Sequence, residues 1–371
     1  MTAPGIPRFL ANTVTDQQFS PGDSLGQQVA SFRYEVINGR TGIRQGDVYP
    51  LRSTIPVLVH NTQNTIMRTL TGLNFGATDT ASMDAITDRI KLYMVLDTPA
   101  GQTEYPLGRY MYDSTVKQVL SGGDLAQNSL FDEMFIVDQQ LTASFAVDGT
   151  NAGDAVTILL APLVDAGLIT VRIEGMPLPV RGAWPAGTSR AKVLSDICTQ
   201  AGCFQPWFDN DGIMRIIPSF NPATKLADFD FDESHVVFRN TISYTNDFLE
   251  APNLYVVTNT TGNTTDGSSS SSFGSYQVPD NAPWSIANRG FTVAKYVDLQ
   301  SSTDNNLDAV AQSYANQNIV FERTQMSTAS DPRHDSYDVI RWQGSQWLEI
   351  SYSFQLQAGA PTIRTLRKGY A

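Results

Sequence analysis

Asp209-Asn210-Asp211-Gly212 gathers two carboxylates, an amide and a glycine into four consecutive positions. These are the residue types of a calcium loop, which needs oxygen ligands through a turn and a bidentate glutamate at its end. If Asp211 and Gly212 take the fifth and sixth places of such a loop, Trp207 takes the first and Pro218 the last. Neither side chain carries an oxygen. Strand-forming P-W-F and I-M-R-I-I flank the four residues, so the pattern predicts a hairpin from Trp207-Phe208 to Ile213-Ile217 with DNDG at its tip.

A second acidic group, Asp228, Asp230, Asp232 and Glu233, is interleaved with Phe229 and Phe231. A paired-carboxylate hydrolase would need two of these acids about 5 to 10 Å apart across a cleft. Strand alternation alone puts the aspartates on one face and the phenylalanines on the other, which predicts a half-buried strand with a solvated acidic face. His60, His235 and His334 are scattered, with no H-x-x-x-H helix and no His-carboxylate grouping of a known motif. No G-x-S-x-G elbow or phosphate-binding glycine loop is present, and the serines at 268–272 lie in a polar run that could not hold a nucleophile. Cys198 and Cys203 are the only cysteines, and their spacing suits neither zinc nor a redox pair. Both are expected as small buried hydrophobes. Two N-x-T matches at Asn259 and Asn263 sit in the same polar run, with no secretory signal to make them acceptors. The residues thus predict no enzyme: no catalytic, cofactor-binding or metal-binding set, and no cofactor.

The elements that position these groups come in three stretches. Across 371 residues, a hydrophobic share of 41% suits ordinary cores, and the length suggests two or three domains. A charged share of 17% is low, and the net charge of −12 argues against a surface that grips nucleic acid. The start of the chain lacks the apolar core of a secretory signal, and the longest apolar run, Ala155 to Val164, is too short to span a membrane. A soluble protein in a reducing cytoplasm is expected, at least until assembly.

The first third reads as short strands. Ser31 to Ile37 ends at Asn38-Gly39, predicting a tight hairpin with both central residues at positive φ. Ile90 to Leu96 alternates with period two, R-Y-M-Y-D follows Y-P-L-G as another short strand, and Phe131 to Leu141 supplies one more. The middle changes to helical period over Asn151 to Ala166, where Pro162 should end or kink the helix, and over Ser189 to Ala201, with Thr188 as N-cap and Gly202 as stop. A G-T pair opens each helix and an A-G pair closes it, which repeated capping physics explains. From Val236 strands return, broken by the polar run Thr258 to Gly274, read as a long mobile loop, and by a helix at about Leu307 to Gln317. The final strands are expected at Ile319 to Arg323, Tyr337 to Trp342, Gln346 to Phe354 and Pro361 to Arg367.

The order of these pieces resembles the tail-hub, or minor tail, proteins of long-tailed bacteriophages, which are similar to contractile-phage baseplate hubs and to the base of the type VI secretion spike. Three stretches carry the resemblance: A-G-T-S-R-A-K-V-L-S-D-I-C-T-Q-A-G-C-F-Q-P-W-F-D-N-D-G-I-M-R-I-I-P; D-E-M-F-I-V-D-Q-Q-L with the helix after it; and D-P-R-H-D-S-Y-D-V-I-R-W. It implies a β-rich α+β fold with two antiparallel β-barrel, tube-forming domains, at 1–145 and 236–371, and a smaller α+β helix-hairpin lobe at 146–235. It further implies a homotrimer at the tail tip of the virion, closing the distal end of the tail tube. That trimer would contact the distal tail protein ring, the tape-measure protein and tip or fibre proteins, and genomic DNA would pass its lumen without specific binding. An acidic wall would not retard that DNA. The competing expectation is a surface carbohydrate-binding protein or cell-wall hydrolase using Tyr105, Tyr110 and Tyr112 with the acids near Asp230.

Overall fold

The computed structural model describes residues 30–50, 55–76, 83–84, 86–98, 101–120, 123–176, 178–231, 241–260, 271–299 and 307–370. Seven strands come first: β1 (Ala30–Asn38), β2 (Arg44–Val48), β3 (Val57–Asn61), β4 (Arg68–Gly76), β5 (Asp88–Thr98), β6 (Gly101–Leu120) and β7 (Gly123–Asp132). A one-turn helix, α1 (Met134–Val137), leads to β8 (Phe145–Asn151), α2 (Ala152–Asp165), β9 (Thr170–Ile173) and β10 (Pro179–Trp184). Next come α3 (Arg190–Gln200), β11 (Trp207–Phe208), β12 (Ile213–Ile216), β13 (Phe229–Asp230) and β14 (Ser243–Asn246). Beyond them lie β15 (Leu254–Thr260), β16 (Ser271–Gln277), α4 (Ile286–Arg289), β17 (Ala294–Leu299) and α5 (Leu307–Asn318). The chain closes with β18 (Glu322–Thr328), β19 (Val339–Trp342), β20 (Ser345–Gln355) and β21 (Thr362–Lys368).

Thirteen strands share one sheet, ordered β14-β18-β21-β20-β3-β4-β7-β6-β5-β1-β2, with β19 joined to β20 and β13 to β19. The β-rich α+β class is as expected. Among the described residues the strands make a large, mainly antiparallel sheet whose path ends at β14 and β2 without closing. Period-two alternation builds its first core: Ile90 and Leu92 of β5 oppose Val36 and Tyr34 of β1, and all four are buried.

One strand ties the two halves of the sheet together. The first part of β20 pairs with β19 and its last part, Ser351–Gln355, pairs with β3. A bulge between Glu349 and Ser351 separates the two, and the carbonyl of the extra residue, Ile350, accepts the Thr62 N–H at 2.9 Å. Because one added residue reverses side-chain parity, Glu349 shares a face with Tyr352 and Phe354 rather than opposing them.

The middle of the chain has its own core, in which α2 and α3 pack over the antiparallel β8–β10 pair and the three-stranded sheet β11-β12-β9. The side chain of Asn151 accepts from the Gly153 and Asp154 N–H groups to cap α2, and Ser189, one residue beyond the expected Thr188, caps α3. Both helices stop in the same way. Gly167 and Gly202 take positive φ, the Leu168 N–H donates to Leu163 O, and the Cys203 N–H donates to Cys198 O. This six-to-one closure brings an apolar pair together across the helix end. The five-residue spacing of Cys198 and Cys203 is therefore that of a helix stop, with both thiols buried in the core where Leu163 and Leu168 do the same for α2. Burial raises both thiol pKa values, that of Cys203 to about 12. Pro162 does not end α2, which continues to Asp165. The proline lies in the last turn, and Ile158, whose carbonyl loses its intrahelical donor, is solvent-exposed, so water can take the donor's place.

Other boundaries differ from expectation for local reasons. The β1–β2 turn is longer than two residues: the Asn38 side chain accepts from the Arg40 and Thr41 N–H groups, and Gly42 rather than Gly39 holds positive φ. Gly39 is needed instead for close approach, because a Cβ there would lie 2.6 Å from the Thr87 carbonyl oxygen. Y-P-L-G-R-Y-M-Y-D belongs to one long strand, β6, with a register shift opposite Leu92. Phe131 to Leu141 is not a strand: β7 stops at Asp132, whose Oδ1 accepts the Met134 N–H and starts α1. The final strands sit close to their expected places, except that Ile319–Phe321 precedes β18. Of the polar run, Thr258–Thr260 and Ser271–Gly274 are paired strands, β15 with β16, and 261–270 lie outside the described residues. No helix among the described residues is long and apolar enough to cross a membrane.

Candidate functional site

The DNDG tip is a hairpin turn, as its flanks predicted. The Asp209 N–H donates to Ile213 O, Gly212 holds φ at 79°, and Asp209 Oδ1 accepts the Asp211 and Ile213 N–H groups, each at 2.9 Å. Asp209 Oδ2 takes the Arg215 Nε at 2.6 Å. Burial, and then the nearby Asp335, raise the Asp209 pKa. Asp209 therefore satisfies the backbone of its own turn and one buried arginine.

Asn210 points the other way, into a junction of three parts of the chain. Its Oδ1 accepts from Arg68 of β4 at 2.8 Å, and its Nδ2 donates to the His334 and Pro332 carbonyls at 2.8 and 3.3 Å. Arg68 is buried and donates its second terminal nitrogen to Asp335 Oδ1 at 2.5 Å. Asp335 also accepts from Trp207 Nε1 at 3.2 Å and from the Ser336 N–H at 2.6 Å. Burial works against charge on Arg68, but Tyr352, Asp335, Tyr110 and Asp132 outweigh it and raise its pKa. Arg68, Asn210 and Asp335 thus lock the first, middle and last stretches of the chain to one another.

The segment between β18 and β19, D-P-R-H-D-S-Y-D, is mostly buried although it has no regular structure. A buried loop must satisfy its own backbone, and this sequence carries the groups to do it. Asp338 Oδ2 accepts the Asp335 N–H at 2.6 Å, and Asp338 O accepts the Glu349 N–H at 3.0 Å. Tyr337 sits at φ 63°, an uncommon conformation for a bulky residue, held by its stacking on Phe204 with ring centroids 4.2 Å apart.

Beneath this loop lies a second buried group. Glu349 Oε1 accepts from Arg364 at 2.5 Å, and Arg364 Nε donates to Thr328 Oγ1. Burial alone would raise the Glu349 carboxyl, but Arg364 and His334 hold it at about 2. His334 stacks on Phe229 at 3.8 Å, with its Nδ1 3.3 Å from Glu349 Oε2 and 3.8 Å from Asp338 Oδ2. His60 Nε2 meets Ser336 Oγ at 2.7 Å, and burial pushes its pKa down to about 3. A histidine–carboxylate grouping therefore exists, with Asp338 from the same segment and Glu349 brought in from β20.

The other candidates are not brought together. Asp230 is exposed and paired with Arg341, as on a solvated strand face, while Asp228, just before β13, accepts the Val339 N–H at 2.8 Å. Asp232, Glu233 and His235 lie outside the described residues, as does the whole of the serine run except its last two members. Tyr110 is fully buried with its hydroxyl donating to Leu107 O, and Tyr112 donates to Met83 Sδ, so the three tyrosines do not form an exposed platform. Sequence reasoning missed Arg68, Glu349 and Arg364. The available signal was a charge inside an apolar strand, as in W-L-E-I and T-I-R-T-L.

No family model and no curated protein matches the chain. Solved structures do. A tail protein from Neisseria meningitidis superposes with a TM-score of 0.56 at 12% identity, covering 91% of this chain and 96% of its own. The 43 kDa tail protein of prophage MuSo2 from Shewanella oneidensis gives 0.56 at 9% identity over 91% and 98%. The chain has the fold of phage tail proteins. Prophage tail protein gp18 from Listeria monocytogenes extends the likeness, with a TM-score of 0.52 at 9% identity over 90% and 94%. At such identities the fold is shared while the surfaces are this chain's own.

Proposed function

We propose that this protein is a structural, non-enzymatic component of a phage-type tail, a trimeric hub closing the distal end of the tail tube. The observation that carries this reading is the likeness to tail proteins over about nine-tenths of both partners. In this reading residues 1–145 and 236–371 form the two tube-type barrel units, complete only in the assembled ring, and 146–235 form the lobe beside them. The ends of the sheet among the described residues, β2 and β14, support it. Ile43 and Tyr49 flank β2, and Tyr244, Phe248 and Leu249 lie in or just after β14, all as exposed large apolar side chains. A sheet edge left apolar is a liability in a monomer and an asset where a neighbour covers it. The ring would receive the distal tail and tape-measure proteins above and tip or fibre proteins below, in the virion and after assembly in the host cytoplasm. DNA would pass its lumen unbound, in keeping with the net charge of −12. Electron microscopy of the whole particle tests this, with a threefold ring at the tube's end expected. A purified chain that stays monomeric at high concentration and does not join tail tubes would overturn it.

A further inference from the structure

The loop centre contains ligand-type atoms that the network does not use. His334, Asp338 and Glu349 are each nearly inaccessible, and one nitrogen or oxygen from each lies within 4.8 Å of the others. Among the described residues neither His334 ring nitrogen meets the criteria for a hydrogen bond, nor does Glu349 Oε2, whose nearest approach is Nδ1 at 3.3 Å. An orphaned buried imidazole facing an orphaned carboxylate oxygen is costly unless something binds both.

We propose that His334 Nδ1, Glu349 Oε2 and an Asp338 carboxylate oxygen bind a divalent transition-metal ion, zinc by preference. One imidazole and two carboxylates suit zinc, and two carboxylates neutralise its charge. In a tetrahedral zinc site neighbouring ligand atoms lie about 3.3 Å apart. The His334–Glu349 pair already has that separation, and the 3.8 Å His334–Asp338 pair needs to close by a few tenths. The surrounding bonds are those expected of a supported site. Arg364 occupies only the other oxygen of Glu349, the Asp335 N–H steadies Asp338, and Phe229 fixes the plane of His334. A cavity of about 10 Å³, bounded by Asp331, His334, Tyr352 and Arg364, lies on the His334 side of the group and has room for a single water. The ion would be structural, pinning the D-P-R-H-D-S-Y-D segment to β20, and it does not depend on the protein being a tail hub.

The test uses the full chain, stripped with a strong chelator, reloaded with zinc and passed over a chelating resin. Mass spectrometry should then find about one retained zinc per chain, with a melting temperature about 3 °C or more above that of the stripped protein. His334→Ala and Asp338→Asn should each weaken retention at least about tenfold, and Asp230→Asn, on the exposed face, should not. If the site variants fail to fold, X-ray absorption on the zinc-loaded wild type decides, with a nitrogen and oxygen shell containing imidazole expected. Absence of retained zinc, a sulfur-containing shell implicating Cys198 and Cys203, or unaltered retention in folded site variants would each overturn the proposal.

Discussion

Asp335 receives a guanidinium, an indole, an amide of its own loop and the reach of a hairpin turn, so its removal leaves several buried donors without an acceptor. Breaking a buried ion pair from one side costs about 3–5 kcal/mol, whereas an exposed pair is worth about 0–1 kcal/mol. Asp335→Ala should therefore lower stability in chemical denaturation by about 3 kcal/mol or more. Asp230→Ala, which frees the exposed Arg341, should stay within about 1 kcal/mol of wild type. Glu133 offers a pH test away from this centre. It is buried, with Arg109 at 2.9 Å, Arg89 at 3.8 Å and Asp132 beside it, and burial outweighs the arginines to push its pKa up to about 7 from 4.5. A raised folded pKa means that the stabilisation is full below pH 4.5 and is lost as pH rises through about 7. The melting temperature should fall across that window, and Glu133→Gln should flatten the fall; an unchanged slope would show that another group is responsible.

At the scale of elements, short-range signals were the most legible. The period-two run of β5, the glycine stops of α2 and α3, and the DNDG turn all follow from residues within a few positions of one another, whereas the α3 cap fell one residue beyond Thr188. What was illegible depended on partners far along the chain. Asn210 reads as a turn residue, and only the fold shows that its amide bridges Arg68 and the His334 carbonyl. The bulge in β20 is likewise silent in sequence, because a switch of partner strand leaves no local mark. His334 looked isolated for the same reason: Glu349 and Arg364 approach it from two other strands. Gly212 combines both scales. Its φ of 79° is a turn requirement, and a Cβ there would meet Arg109 Cδ at 2.2 Å. Gly344, at φ 74°, has open space around it. Gly344→Ala should cost about 1 kcal/mol through backbone strain alone, and Gly212→Ala clearly more; equal losses in thermal unfolding would mean that Arg109 moves aside freely.

Over the whole molecule, the ends of the sheet formed by the described residues set the expectation for assembly. If β2 and β14 meet neighbouring copies, charge placed beside them should separate protomers without unfolding them. Tyr49→Lys combined with Phe248→Asp is expected to shift the purified protein from trimer toward monomer in sedimentation, with circular dichroism unchanged. A trimer that persists would put the interface elsewhere. Because Arg68, Asn210 and Asp335 join three distant stretches, the same separation should leave the three parts of each protomer rigidly related.

The seam between β3 and β20 has a consequence for how the protein is made. On the ribosome, Val57–Asn61 emerges long before the strand that will cover it, since Ser351 pairs with Asn61 and Gln355 with Val57. Through most of translation the N-terminal strands hold a bare row of amides and carbonyls beside Leu58, while Tyr352, Phe354 and Leu356 of their core have yet to be synthesised. At roughly 5–20 residues per second that exposure lasts on the order of tens of seconds, ample time for two nascent chains to pair wrongly. Chaperone demand during synthesis, and aggregation of any product cut short before β20, follow from the place of one strand in the order of the chain.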